Sequence, residues 1–185
     1  MNTIRLARPE ELDTIWALVQ RTVAEMISWG SDQWGDDYPL PELYAEDIAR
    51  NELWCVVNEE GTILGVAAIV CRHEPDYEPL PFRRPEPAVS MHRVAVDPCA
   101  MGQGVAAMLF AQFEKEGIRR GVESLRIDTY CMNDRMQHLI TKHGFTKLAE
   151  FYFPNRDNPY YCYDKLLNVN DDSIGKSNLQ ENFEE

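Results

Sequence analysis

No stretch of the 185 residues approaches 18 consecutive apolar side chains, so no membrane-spanning helix is expected. The amino terminus reaches Pro9 before any apolar run long enough for a signal peptide, and the chain therefore reads as cytoplasmic. Cysteine is sparse. Cys55, Cys71, Cys99, Cys131 and Cys162 make an odd number with no CxxC pair, and most sit inside apolar runs such as Trp54-Cys55-Val56. That pattern reads as reduced thiols rather than a disulfide framework, and no metal site is expected. Positive charge is also short: 18 Lys and Arg face 31 Asp and Glu, for a formal net charge of -13. Nucleic acid and anionic membrane surfaces both need a basic footprint, so neither is an expected partner. A cationic partner is easier to accommodate. No Gly-Lys-Ser/Thr follows a glycine loop, which excludes a P-loop.

What is present fits one globular domain, with 44% hydrophobic and 10% aromatic residues. Thr3 to Ala7 alternates as a first strand. Pro9 opens a helix whose apolar residues, Leu12, Ile15, Trp16, Val19, Val23 and Met26, recur at three and four. A loop from Trp29 to Pro41 precedes a short helix to Asn51. Leu53 to Val57 and Ile63 to Val70 read as paired central strands around a turn at Gly61. Five prolines between Arg72 and Pro87 exclude regular structure there, and a loop of that length is expected to be functional. Val89 to Val96 is a strand, Gly102 to Arg120 a helix, and Ser124 to Thr129 a strand parallel to the previous one. Asn133 to His143 reads as a helix closed by Gly144. Phe145 to Phe153 and Tyr160 to Leu167 read as an antiparallel pair. Residues 168–185 carry five carboxylates (Asp171, Asp172, Glu181, Glu184, Glu185) against Lys176, and this acidic tail is expected to be disordered. The domain would then cover residues 1–167.

The segment Val94-Ala95-Val96-Asp97-Pro98-Cys99-Ala100-Met101-Gly102-Gln103-Gly104-Val105-Ala106 carries the most chemistry. A strand stops at a proline, turns through two glycines and enters an amphipathic helix. Glycines let the backbone approach an anion, and the first amides of a helix have no partners of their own, so the turn suits a pyrophosphate. Gly102 to Ala107 formally matches GxGxxA, with Asp128 as a candidate ribose ligand. A dinucleotide site is nevertheless a strained reading. Five residues separate the strand from the first glycine, and two strands and two helices come earlier in the chain.

Taken with its context, the segment resembles the acetyl-CoA-binding core of the GNAT (Gcn5-related N-acetyltransferase) superfamily. Val96-Asp97-Pro98 and Gly102-Gln103-Gly104-Val105-Ala106 match, with Met101 where Arg or Gln is usual. Downstream, Asn133 and Gly144-Phe145 stand at the family spacing. Gln33-Trp34, Glu74-Pro75-Asp76-Tyr77, His92-Arg93, Leu125-Arg126-Ile127-Asp128-Thr129 and Met136-Gln137 resemble an uncharacterised bacterial subgroup. The resemblance implies an α/β (α+β) single domain, a mixed sheet of about six to seven strands flanked by about four helices. It also implies acetyl-CoA as cofactor, held by Val94 to Val96, Met101 to Ala106, Asn133 and Met136.

The implied reaction is direct attack of a primary amine on the thioester, with backbone amides around Val94 to Val96 stabilising the oxyanion. The family's usual proton donor is a Tyr seven residues after the Asn. That position is Ile140 here, leaving Tyr130, Cys131 and Tyr152 near the same strand ends as candidates. For the base, His92 is the one imidazole on the strand carrying the acyl site, and Asp128 lies at the end of the next strand. A plain ion pair of Arg126 with Asp128 competes with that role. Trp34, Tyr38, Glu74, Tyr77, Arg93 and Arg126 are candidate acceptor contacts. The chain is therefore expected to N-acetylate a small amine, and the acidic body favours a cationic one. Protein N-terminal or lysine acetylation and a non-catalytic acyl-CoA sensor are the alternatives. A homodimer is compatible with the family.

Overall fold

The computed structural model describes residues 1–154 and 156–167. The tail expected at 168–185 lies outside the described residues. Seven strands form one sheet in the order β1-β2-β3-β4-β5-β7-β6. They are β1 (Thr3–Leu6), β2 (Leu53–Val57), β3 (Ile63–Val70), β4 (Val89–Val96), β5 (Ser124–Tyr130), β6 (Thr146–Phe151) and β7 (Tyr160–Leu166). The α-helices are α1 (Leu12–Ser28), α2 (Pro41–Ala49), α3 (Val105–Arg120) and α4 (Asp134–Lys142). The expected α/β single domain is what the chain forms.

Strand alternation divides the core in two. On β3, Val66, Ala68 and Val70 pack with Ile15, Leu18 and Val19 of α1 and with Tyr44 and Ile48 of α2. Ala67 and Ile69 point the other way, toward Leu109, Phe110 and Phe113 of α3 and Ile140 of α4. Gly65 marks a close approach of α3 to β3: a Cβ there would lie 2.7 Å from Val105 Cγ1 and 3.0 Å from the Ala95 carbonyl oxygen. A side chain would push the first turn of α3 off the sheet.

Two irregularities of β4 create the space for a site. Opposite β3, Val66 pairs with Ala95 and Ala68 with His92, so Arg93 and Val94 together face Ala67. This bulge holds Arg93 at a φ of 51°, and it turns both His92 and Ala95 toward the α1/α2 face. On its other side β4 pairs with β5 in parallel, but only at Val89 with Leu125 and Ser90 with Arg126. Beyond Ser90 the strands part, and the β4 backbone from His92 onward has no β5 ladder.

The sequence-based helix at 102–120 begins only at Val105, because Gly102 and Gly104 adopt φ of 77° and 79°. The 145–153 strand is shorter, at Thr146–Phe151; it forms the expected antiparallel pair with β7, which also pairs with β5 and so lies between β5 and β6. The prediction of a parallel β4–β5 pair holds over two residue pairs.

Candidate active site

The turn from β4 to α3 is built around Asp97. Its carboxylate accepts the Cys99 amide at 3.0 Å and pairs with Arg21 of α1 at 2.6 Å. Burial would raise this carboxyl, but Arg21 and the Cys99 amide outweigh it and hold it below the ordinary carboxylate range. The chain then runs through Gly102 and Gly104 in left-handed conformations that favour glycine. No acceptor is bonded to the amides of Gly102, Gly104 or the first three residues of α3 among the described residues. A Cβ at either glycine would meet nothing within 4 Å. Free amides, a helix dipole and open space suit a pyrophosphate. Gln103 is turned inward, its backbone amide donating to the Ala100 carbonyl at 3.3 Å and its Nε2 to the Cys99 carbonyl at 2.9 Å. The unpaired β4 edge after Ser90 fits an extended, amide-bearing arm running from the turn toward the sheet split.

At that split lies a cavity of about 560 Å³, bounded by the 29–40 loop, the 72–87 loop, the ends of β4 and β5, and the segment after β6. Its polar centre is His92. The ring has Nε2 at 2.5 Å from Glu74 Oε1 and Nδ1 at 4.0 Å from Asp128 Oδ1. The Tyr77 hydroxyl donates to Asp128 at 2.5 Å, and its ring centroid lies 5.7 Å from that of His92. An imidazole thus sits between two carboxylates, one from the sheet and one from the proline-rich loop. Burial pushes the Asp128 carboxyl up, with His92 opposing it. Burial would also raise Glu74, but contact with His92, aided by Ser90 and Arg72, outweighs it and leaves that carboxyl lowered. Tyr77 is buried, and its hydroxyl is raised by burial and by the Asp128 charge, so it remains a neutral donor.

Other candidate residues fall into three groups. Trp34 and Tyr38 line the cavity with their rings 6.3 Å apart, and Val94, Asn133 and Met136 line it as well. Arg93 also lines it, but its guanidinium is bound bidentately by Asp47 of α2, both contacts at 2.8 Å. Arg126 lies outside it, in a smaller pocket under the proline-rich loop. There it stacks on Phe82 at 4.3 Å and donates to the Arg84 carbonyl at 2.9 Å.

Tyr130 and Tyr152 are not among the cavity-lining side chains. The Tyr130 hydroxyl donates to Asp32 and accepts from Asn158 Nδ2 at 2.7 Å. Burial, then Asp32, pushes it up to about 12. Tyr152 is 60% exposed just past β6. Ile140 is fully buried in the α3/α4 core. Sequence reasoning missed Asp47, Asp76, Arg156 and Tyr160. Asp47 lies 46 residues from the arginine it binds, and no local pattern announces such a pair.

Three contacts tie the 29–40 loop to β5, α4 and the segment between β6 and β7. Arg156 meets Asp37 at 3.0 Å, Asn133 Nδ2 donates to Gln33 at 2.8 Å, and Asp32, Tyr130 and Asn158 form a hydrogen-bonded chain. Asn133 Oδ1 meanwhile caps α4 by accepting the Met136 amide at 3.1 Å.

Comparison with known proteins agrees with this fold. The model of the Acetyltransferase (GNAT) family matches residues 23–145. Among solved structures, a GNAT-family acetyltransferase from Streptococcus agalactiae superposes with a TM-score of 0.73 at 28% identity, over 90% of this chain and 95% of that one. One from Listeria monocytogenes superposes with the same TM-score and coverage at 22% identity. The yncA protein of Salmonella typhimurium, solved with its cofactor acetyl-CoA, gives a TM-score of 0.66 at 16% identity, over 95% of this chain and 98% of that one. No curated protein sequence matches the chain.

Proposed function

We propose, from the premise that the chain belongs to the GNAT family and is an N-acetyltransferase using acetyl-CoA, that its acceptor is a primary amine of a small molecule bound in the cavity beside His92. The observation that carries this reading is the set of ties between the 29–40 loop and the segments around β7. A peptide acceptor needs an open channel between that loop and the terminal strands. Here Asp37–Arg156 and Asp32–Tyr130–Asn158 cross that path. A cavity of about 560 Å³ is in the range of small-molecule sites.

In this reading the amides of Gly102, Gly104, Val105, Ala106 and Ala107 hold the pyrophosphate, and the β4 edge at Val94 to Val96 aligns the rest of the donor. When bound, acetyl-CoA supplies a thioester whose C–S bond breaks as the amine's N–C bond forms, giving an acetamide and the CoA thiol. The amine arrives as an ammonium and loses two protons on its way to the acetamide, one before it attacks and one as the N–C bond forms. Asp128, raised by burial, and His92 beside it receive the first and pass it to solvent, while Glu74 and Tyr77 keep the two groups oriented; the second balances the proton that the departing sulfur takes up. Ile140 offers no proton to the departing sulfur, so water delivers it; a thiol pKa of about 8.5 makes this leaving group tolerable without a dedicated acid.

Thiol release from acetyl-CoA, measured with small primary amines and with peptides bearing free N-termini or lysines, tests the reading. Turnover is expected with small amines and only background release with peptides. Preferential turnover of peptides would overturn it.

A further inference from the structure

The charges around the cavity do not balance. Its three arginines each have a carboxylate to themselves: Arg72 with Glu52, Arg93 with Asp47, Arg156 with Asp37. Its three carboxylates, Glu74, Asp76 and Asp128, have no Lys or Arg within ion-pair distance among the described residues, and no lysine lines the cavity. His92 lies between two of them and neutralises at most one charge. The 29–40 loop at the mouth adds Asp32 and Asp36 and contains no Lys or Arg. Asp128 and Glu74 lie at the half-buried floor, whereas Asp76 is exposed at the rim, near enough to act on the Asp128 charge. Aromatic faces from Trp34, Tyr38 and Tyr160 complete the wall. Carboxylates and aromatic rings favour organic cations, and with every cavity arginine occupied no group is free to meet an acceptor's carboxylate or phosphate.

Resting on the small-molecule reading above, we infer that the acceptor is a small diamine or oligoamine. Its reacting nitrogen lies at Asp128 and His92, its second positive charge lies toward Asp76, and it carries no anionic group. An amino-acid or phosphorylated amine would bring a negative charge into a field that is already negative.

The test is thiol release by the full chain at saturating acetyl-CoA with diaminobutane, with pentylamine, in which a methyl replaces the second ammonium, and with aminovalerate, in which a carboxylate does. Diaminobutane is expected to exceed pentylamine in kcat/KM by about fivefold or more, the upper range for a partly exposed ion pair, and aminovalerate to be poorest. Asp76→Asn should draw diaminobutane down toward pentylamine, chiefly through KM. Raising ionic strength from about 0.05 to about 0.5 M should shrink the advantage in the wild type. Equal rates for diaminobutane and pentylamine, a preference for aminovalerate, or an Asp76→Asn enzyme that keeps the full advantage would overturn the inference while leaving a small-molecule acetyltransferase intact. Turnover of peptides with no small amine accepted would instead overturn the reading on which it rests.

Discussion

Asp128 is held in a state that costs stability, as the proton-accepting role proposed for it would require. Its folded carboxyl is raised above the unfolded value of about 3.9, by burial first and against the pull of His92. A raised acid favours the protonated fold, so at neutral pH the ionised side chain costs stability. The cost fades as the pH falls through the folded value and is gone below the unfolded one, where both states are protonated. Asp128→Asn keeps an oxygen to accept from Tyr77 and removes the buried charge. Thermal unfolding should therefore show a higher Tm than wild type near pH 7 and a difference that shrinks toward pH 4, together with lost turnover. A lower Tm at neutral pH would contradict this account of the carboxylate. The types of residue at this centre were legible in the sequence: His92, Asp128, Glu74 and Tyr77 stood out as chemistry-bearing side chains. Their convergence was not, because Glu74 and Tyr77 come from an irregular loop. Nor could the sequence separate Asp128 from Tyr130, which share a strand face two residues apart. The neighbouring loops decide that one borders the cavity and the other bonds Asp32.

The turn between β4 and α3 is the proposed donor side of the site, and its sequence was readable because glycine spacing and a strand-ending proline act locally. Where α3 starts was less so: the left-handed glycines delay it to Val105 and thereby expose the amides. Gly104→Ala tests this element. Nothing within 4 Å obstructs a Cβ there, so the cost is the backbone conformation, about 1–2 kcal/mol for an L residue in the left-handed region. If the turn shifts to relieve that strain, the amides lose their aim. Calorimetry should show acetyl-CoA binding weakened by about tenfold, the equivalent of roughly 1.4 kcal/mol, with the secondary structure retained; unchanged affinity would remove the turn from the donor site. The bulge on β4 left no comparable trace. Val89 to Val96 reads as an ordinary apolar strand, yet the extra residue at Arg93 aims His92 at the cavity and leaves Arg93 to be neutralised by Asp47. Its cause is tertiary, in the pairing of β4 with β3 and α2.

Across the whole molecule, the sheet splits between β4 and β5 and places two chemically distinct surfaces on either side of one opening. The α3 end offers free amides to an anion, and the α1/α2 face offers an acidic, aromatic cavity to a cation. The fold class, the single domain and the strand–helix alternation were legible because they follow from hydrophobic period and turn residues. The position of β7 between β5 and β6, and the ties that roof the cavity, were not, because strand order and loop contacts are set by packing across the chain. The net charge of -13 gave only a hint of an acceptor's sign. The cavity localises that hint, since each of its arginines has a carboxylate of its own while, among the described residues, its three carboxylates share one imidazole and no Lys or Arg. The central claim is that the two sides meet at His92 to acetylate an amine. The most direct measurement is the steady-state kinetics of His92→Gln with diaminobutane as acceptor and acetyl-CoA varied. The account predicts that kcat falls by about 10²-fold or more, the usual worth of a general base, while KM for acetyl-CoA stays near the wild-type value. A kcat close to wild type would contradict it.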